Sequence, residues 1–101
     1  MAFEIELTDD AREDYRALDA HLRAIIRKAM ETHLRNQPTK VSKSRIKRLR
    51  ELRRPQYRLR VESHRIYYDV EDSTVTILGI VAKDSSESWL RSNSEPDEKN
   101  D

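Results

Sequence analysis

The chain opens on Phe3, Ile5 and Leu7 in alternation with Ala2, Glu4 and Glu6. A period of two predicts a strand with one buried face. Thr8 stands before Asp9 and Asp10, an N-cap with acids at the positive end of a helix dipole. Ala11, Tyr15 and Leu18 give that helix an apolar stripe. Asp19 reads as a second cap, after which Leu22, Ile25, Ile26, Ala29, Met30, His33 and Leu34 recur at helical spacing as far as Asn36. Pro38 cannot continue a helix and marks the end. So short a junction folds the two helices back as a hairpin. Residues 40–45 are polar and basic and read as a loop. Ile46, Leu49 and Leu52 recur every third residue, which suits a helical turn or an irregular strand. Beyond Pro55, residues 57–61 and 65–70 alternate cleanly, and residues 74–82 are apolar on both faces, as in a central strand. Gly79 lies inside that run, pointing to a bulge or a close backbone approach. Residues 84–91 suit one short helix. The order β-α-α-β-β-β(-β) predicts an α+β domain, a small antiparallel sheet packed against an N-terminal helical hairpin.

The length of 101 residues sets one domain with one modest core. Residues 1–91 carry the patterned segments. Residues 92–101 (SNSEPDEKND) are acidic, offer no apolar anchor and are expected to be disordered. Without cysteine, disulfide and thiol chemistry are excluded, which fits a reducing compartment. The N-terminus lacks the charged and apolar regions of a secretory signal, and no run approaches membrane-spanning length. A cytoplasmic protein without a membrane partner is expected.

Charge changes the picture more than composition does. The whole chain holds 20 basic and 19 acidic residues, a near-balance that hides strong segregation. Residues 40–65 contain eleven Lys or Arg against two acids, Glu51 and Glu62. Such a cluster is the electrostatic footprint of a polyanion-binding surface.

The cluster includes a hairpin. If Glu62 and Ser63 form a two-residue turn, Val61 faces His64, Arg60 faces Arg65, Leu59 faces Ile66, Arg58 faces Tyr67 and Tyr57 faces Tyr68. Alternation then puts Tyr57, Leu59, Val61, Ile66, Tyr68 and Val70 on a core face. Arg58, Arg60, Arg65 and Tyr67 share the other. Like charges directly opposite one another destabilise a sheet by roughly 0.2–1 kcal/mol, and such broken rules concentrate at functional sites. A solvated sheet face also carries arginine. The turn has neither Gly nor Asn, and a three-residue loop would move Arg65 to the other face.

Lys43, Arg45, Lys47, Arg48, Arg50, Arg53 and Arg54 extend the basic run. They suit either a solvated surface or phosphate contacts, since arginine binds phosphate in a bidentate manner. Tyr67 is a candidate platform for a base, whereas Tyr15, Tyr57 and Tyr68 read as core. His21 and His33 have no partner at metal-binding spacing, so no metal is expected. There is no glycine-rich phosphate loop and no nucleophile elbow. Glu13 and Asp14 read as acidic helix surface. The parity that groups the arginines turns His64 away from them, leaving no evident general base on the basic face.

The string YRLRVESHRIYYDVEDSTVTILGIVAK resembles the RelE/ParE superfamily of type II toxin–antitoxin toxins. The strand–helix–helix opening extends the resemblance from residue 2 to about residue 91. The resemblance implies no cofactor and a cognate antitoxin protein as partner. RelE-like members cut messenger RNA on the ribosome without a metal. In that scheme Arg58, Arg60 and Arg65 match the catalytic basic positions, clamping phosphate and stabilising the charged transition state. The other basic residues of the run, with Tyr67, Lys83 and Trp89, would then contact RNA. The sequence departs from the ribonuclease pattern after Lys83, where Trp89 stands in place of a terminal tyrosine. Tryptophan cannot transfer a proton. It either stacks on a base and closes the rim of the site, or packs with Leu90 against the sheet. ParE-like members instead inhibit DNA gyrase and need no such tyrosine, and a third alternative is a catalytically impaired relative that only binds RNA or its antitoxin.

Overall fold

The structure is a computed structural model that describes residues 2–97. Strand β1 (Glu4–Leu7) leads directly into helix α1 (Asp9–Ala17). Thr8 Oγ1 accepts the Ala11 N–H at 3.1 Å, so a cap and not a loop makes the turn. Helix α1 stops at Leu18, and Asp19 caps α2 (Ala20–Leu34) by accepting the Leu22 N–H at 2.8 Å. The reversal is tied by Arg23, whose Nη1 donates to the Leu18 carbonyl at 2.6 Å, and by Tyr15, whose hydroxyl donates to the Arg23 carbonyl.

The stretch left open between helical turn and strand is two short strands, β2 (Ile46–Arg48) and β3 (Leu52–Arg54), joined through Glu51 at a φ of 67°. Then come β4 (Tyr57–Val61), β5 (His64–Glu71) and β6 (Thr74–Ala82). The main sheet has the order β1-β6-β5-β4-β2. Two details correct the sequence-based expectation. First, the sheet is mixed, because β1 runs parallel to β6 while the other pairs are antiparallel. A parallel pair needs a long crossover, and everything between residues 8 and 73 supplies one. Second, residues 92–97 are not disordered. Helix α3 (Ser86–Asn93) enters after a 3-10 turn and ends inside this segment. Strand β7 (Glu95–Pro96) then pairs with β3, and the Asp97 N–H donates to the Glu51 carbonyl. Its acids thus meet the basic run. Residues 98–101 of the expected tail lie outside the described residues.

The main core lies between the helical hairpin and one face of the sheet. Ala11, Ile26, Met30 and Leu34 meet Leu59, Ile66, Tyr68, Val75, Ile77 and Ile80. The last β1–β6 pair is Leu7 with Ile77. Beyond it Asp14 Oδ2 accepts the Ile80 N–H at 3.0 Å, so a helix side chain takes over where the strand has ended. Tyr68 is fully buried, stacks on Tyr57 with centroids 5.5 Å apart, and donates its hydroxyl to the Pro38 carbonyl at 2.6 Å. That bond fastens the chain leaving α2 to the middle of the sheet.

Burial, and secondarily the neighbouring Tyr57, pushes the Tyr68 hydroxyl well above the usual tyrosine pKa. The unfolded chain ionises this group near pH 10. Its contribution is therefore fully present below pH 10 and is lost as pH rises toward the folded value, by about 1.4 kcal/mol per pH unit. Tyr68→Phe should cost about 1–2 kcal/mol at neutral pH, because the buried Pro38 carbonyl loses its donor. That deficit should shrink above pH 10. Denaturant titrations of both proteins at neutral and alkaline pH check this, and a constant deficit would contradict it.

Candidate nucleic-acid interface

The β4–β5 turn has two residues. Val61 pairs with His64, Arg60 with Arg65, Leu59 with Ile66, Arg58 with Tyr67 and Tyr57 with Tyr68. Glu62 adopts the positive φ that such a turn requires at its first position, at 52°, without help from glycine. The register puts Arg58, Arg60, Arg65 and Tyr67 on the face opposite the main core. Lys47 joins them, since it pairs with Arg58 across β2 and β4. His64 lies on the other side.

These cations are held without counter-charge. None of Arg58, Arg60 and Arg65 forms an ion pair among the described residues. Arg65 is only 7% exposed and spends its Nη1 on the carbonyls of Glu62, at 3.2 Å, and His64, at 3.0 Å. Burial first, then the charges of Arg58 and Arg60, pulls its pKa below the usual arginine value. It stays protonated at neutral pH regardless. Arg58 Nε is buried without a hydrogen-bond partner, the one such side-chain atom among the described residues. An orphaned buried donor costs about 1–3 kcal/mol, more when charged. Arg60 is exposed.

A short way along the same face the charge is compensated. Asp69, 8% exposed, accepts from Arg54 Nε and from the Gln56 N–H, each at 2.8 Å. Gln56 in turn accepts the Val70 N–H through its side chain and the Leu49 N–H through its carbonyl. Asp69 thus fastens the loop between β3 and β4, and Arg54 is an anchor here. Arg48 lies over the Tyr57 ring at 5.2 Å, on the core side. Lys43, Arg45, Arg50, Arg53 and Lys83 are exposed. Of these, Arg45 lines an opening together with Arg60.

Tyr67 and Trp89 depart most from the expected site. Tyr67 is 2% exposed, and Trp89 of α3 lies on its ring, nearly parallel, with centroids 4.8 Å apart. No base reaches that ring while α3 is in place. The indole also covers Gly79, which pairs with Tyr67 across β5 and β6. A Cβ at Gly79 would lie 2.6 Å from Trp89 Cε2 and 2.8 Å from Nε1, inside van der Waals contact. Both readings of this glycine hold, because the register also shifts next to it, leaving Leu78 as the extra residue on β6. Helix α3 therefore packs on the sheet face away from α1 and α2, and Trp89 takes the packing role, against Tyr67 and Gly79. Asp14 and Asp69 are the polar residues that sequence reasoning missed; both bond main-chain groups distant in sequence. Among the described residues no three His, Asp or Glu side chains converge as metal ligands would.

The geometry has solved counterparts. A chain in the toxin–antitoxin complex RelBE2 of Mycobacterium tuberculosis superposes with a TM-score of 0.70 at 24% identity, covering 81% of this chain and 99% of that one. A chain in the RelB–RelE antitoxin–toxin complex of Methanococcus jannaschii gives a TM-score of 0.65 at 20% identity, covering 84% and 98%. The YoeB dimer of Staphylococcus aureus gives 0.58 at 21% identity, covering 78% and 94%. These three show that the chain shares their fold. A family model described as the ParE toxin of the type II toxin–antitoxin system parDE matches residues 5–84, so the chain belongs to that family within the RelE/ParE superfamily. It is a toxin of a type II system. No curated protein matches the chain.

Gly79→Ala should destabilise the protein by about 1–3 kcal/mol through collision with the indole. In a Trp89→Ala background the same change should cost almost nothing. Thermal or denaturant melts of the four proteins give the coupling, which should be about 1–3 kcal/mol. Additive effects would show that the contact is not what requires glycine.

Proposed function

We propose that this toxin is a metal-independent endoribonuclease that cuts messenger RNA on the ribosome, and that a cognate antitoxin neutralises it. The observation that carries the reading is the uncompensated cluster of Arg58, Arg60 and Arg65, with its orphaned Arg58 donor, on one sheet face. A phosphodiester supplies the acceptors and the negative charge that this face lacks. In the cleavage step the ribose 2′-oxygen attacks phosphorus and the bond to the 5′-oxygen breaks, leaving a cyclic phosphate and a 5′-hydroxyl. Charge accumulates on the non-bridging oxygens, where preorganised cations act most strongly. On this face Asp69 is bound to Arg54 and Tyr67 is covered by Trp89, so in this reading water takes the 2′-proton and supplies one to the leaving oxygen. The two solved complexes, each a toxin with its antitoxin, support the antitoxin as partner.

The family match favours a second reading, a non-enzymatic inhibitor of DNA gyrase. Trp89 in place of a terminal tyrosine, and its cover over Tyr67, are compatible with a face that binds protein. Purified toxin added to programmed ribosomes should yield discrete messenger cuts under the first reading. Under the second, it should block supercoiling and leave messenger intact.

Arg60→Ala is the cleanest probe, since Arg60 is exposed. It should retain the wild-type folding stability within about 0.5 kcal/mol and lower cleavage by about 10²–10³-fold, relieving growth arrest. Arg58→Ala should lower cleavage likewise and leave stability equal to or above wild type, because the buried Nε without an acceptor goes with it. Arg65→Ala should also lower stability, because Arg65 ties the turn carbonyls. Full toxicity in all three variants would move the site elsewhere. RNA binding should weaken with salt at a log–log slope of about −2 to −3.5 if three to five phosphates are neutralised. A flat dependence would count against the basic face.

A further inference from the structure

A cleft of about 550 Å³ opens where α2 ends and β2 begins. It is bordered by His33, Asn36, Gln37, Lys40, Ser42 and Arg45, and no acid lines it. The volume lies within the range of small-ligand sites, about 300–1,000 Å³. The wall near β2 is fixed: Ser42 Oγ accepts the Arg45 N–H at 3.0 Å, and the Ser42 N–H donates to the Ile46 carbonyl at 3.0 Å.

Arg45 also borders a second opening, of about 400 Å³, whose lining includes Arg60 and Glu62. The Arg60 N–H donates to the Arg45 carbonyl at 2.8 Å, and Arg60 pairs with Arg65. The cations therefore run without a break from Arg58 and Arg65, over Arg60, around the β2 edge of the sheet to Arg45 and Lys40. Glu62 is the one acid that lines either opening. We propose that this cleft is a nucleotide subsite for single-stranded RNA whose backbone passes from the arginine face around the β2 edge. The inference rests on the RNA reading above.

Two physical points favour a nucleotide over a free phosphate. The end of α2 presents the negative pole of its dipole, equivalent to about −0.5 charge, which repels an anion placed against it. Asn36 and Gln37 lie at that end, and side-chain amides recognise base edges by paired donor and acceptor bonds. The base thus belongs against the helix end and the phosphate over Lys40 and Arg45. His33 is held below the usual histidine pKa, by burial first and then by Arg45. Its ring is therefore neutral at physiological pH, suited to stacking or a neutral hydrogen bond. A duplex cannot turn so sharply around a sheet edge, whereas a single strand can.

The test compares single-stranded oligoribonucleotides of about four and about twelve nucleotides on wild type, His33→Gln, Lys40→Ala and Arg60→Ala, with each melting point recorded. His33 and Lys40 replacements should leave the short probe unchanged and weaken the long one about three- to tenfold. Arg60→Ala should weaken both. The His33 ring resonances should shift with the long probe only. If the short probe binds through Arg60 and the His33 and Lys40 variants bind the long one like wild type, the subsite is overturned and the RNA reading survives. If neither probe binds, or Arg60→Ala changes nothing, the RNA reading falls and the subsite with it.

Discussion

Side chains alternate along a strand, so the two-residue turn at Glu62 and Ser63 decides two things together. It aligns Leu59 with Ile66 and Tyr57 with Tyr68 on the side that meets the helices, and it aligns Arg60 with Arg65 on the side that does not. A slip of one residue would carry the arginines into the core and the aliphatic residues into water. No folded chain of this size tolerates that exchange. The juxtaposition of like charges therefore follows from the same constraint that builds the core, and neither can be relaxed alone. Arg65 shows how the conflict is contained. Its guanidinium bends back onto the carbonyls of the turn, which removes most of it from water without an acid nearby.

The two halves of the outer face follow opposite electrostatic rules. Around Asp69 a buried carboxylate meets Arg54 and a main-chain N–H, and the result is a rigid attachment for the β3–β4 loop. Around Arg58 and Arg60 the cations have no such partner. One arrangement secures the fold, whereas the other leaves a buried donor without an acceptor. The basic run of the sequence contributes to both, and charge alone does not tell which arginine does which. Arg54 and Arg58 are four residues apart, one in β3 of the two-stranded sheet and the other in β4 of the main sheet, and only Arg54 has a carboxylate beside it.

Local signals carried most of the fold. The caps at Thr8 and Asp19, the helix end before Pro38, and the alternation in β1, β4 and β5 depend on neighbours in sequence, and all stand where the pattern placed them. The grouping of Arg58, Arg60 and Arg65 was legible for the same reason. What sequence did not disclose depends on pairs far apart along the chain. Asp14 bonds Ile80, Asp69 bonds Gln56, β1 runs parallel to β6, and Pro96 lies against Leu52. The tail pairs through its backbone, which no apolar count detects. Gly79 announced a close approach but not its cause, since nothing local marks Trp89 as the group lying on it.

The stack of Trp89 on Tyr67 has a practical consequence. Trp89 is the only tryptophan in the chain, and it lies at the junction of α3 with the sheet. The protein therefore carries a single indole fluorophore, excitable apart from its four tyrosines and placed where its emission responds to whether the terminal helix is seated. An antitoxin, an RNA strand or a denaturant that lifts α3 would expose the indole to water and shift its emission to longer wavelength, without any attached label. The aromatic pair that closes over the sheet also makes the position of that helix visible to light.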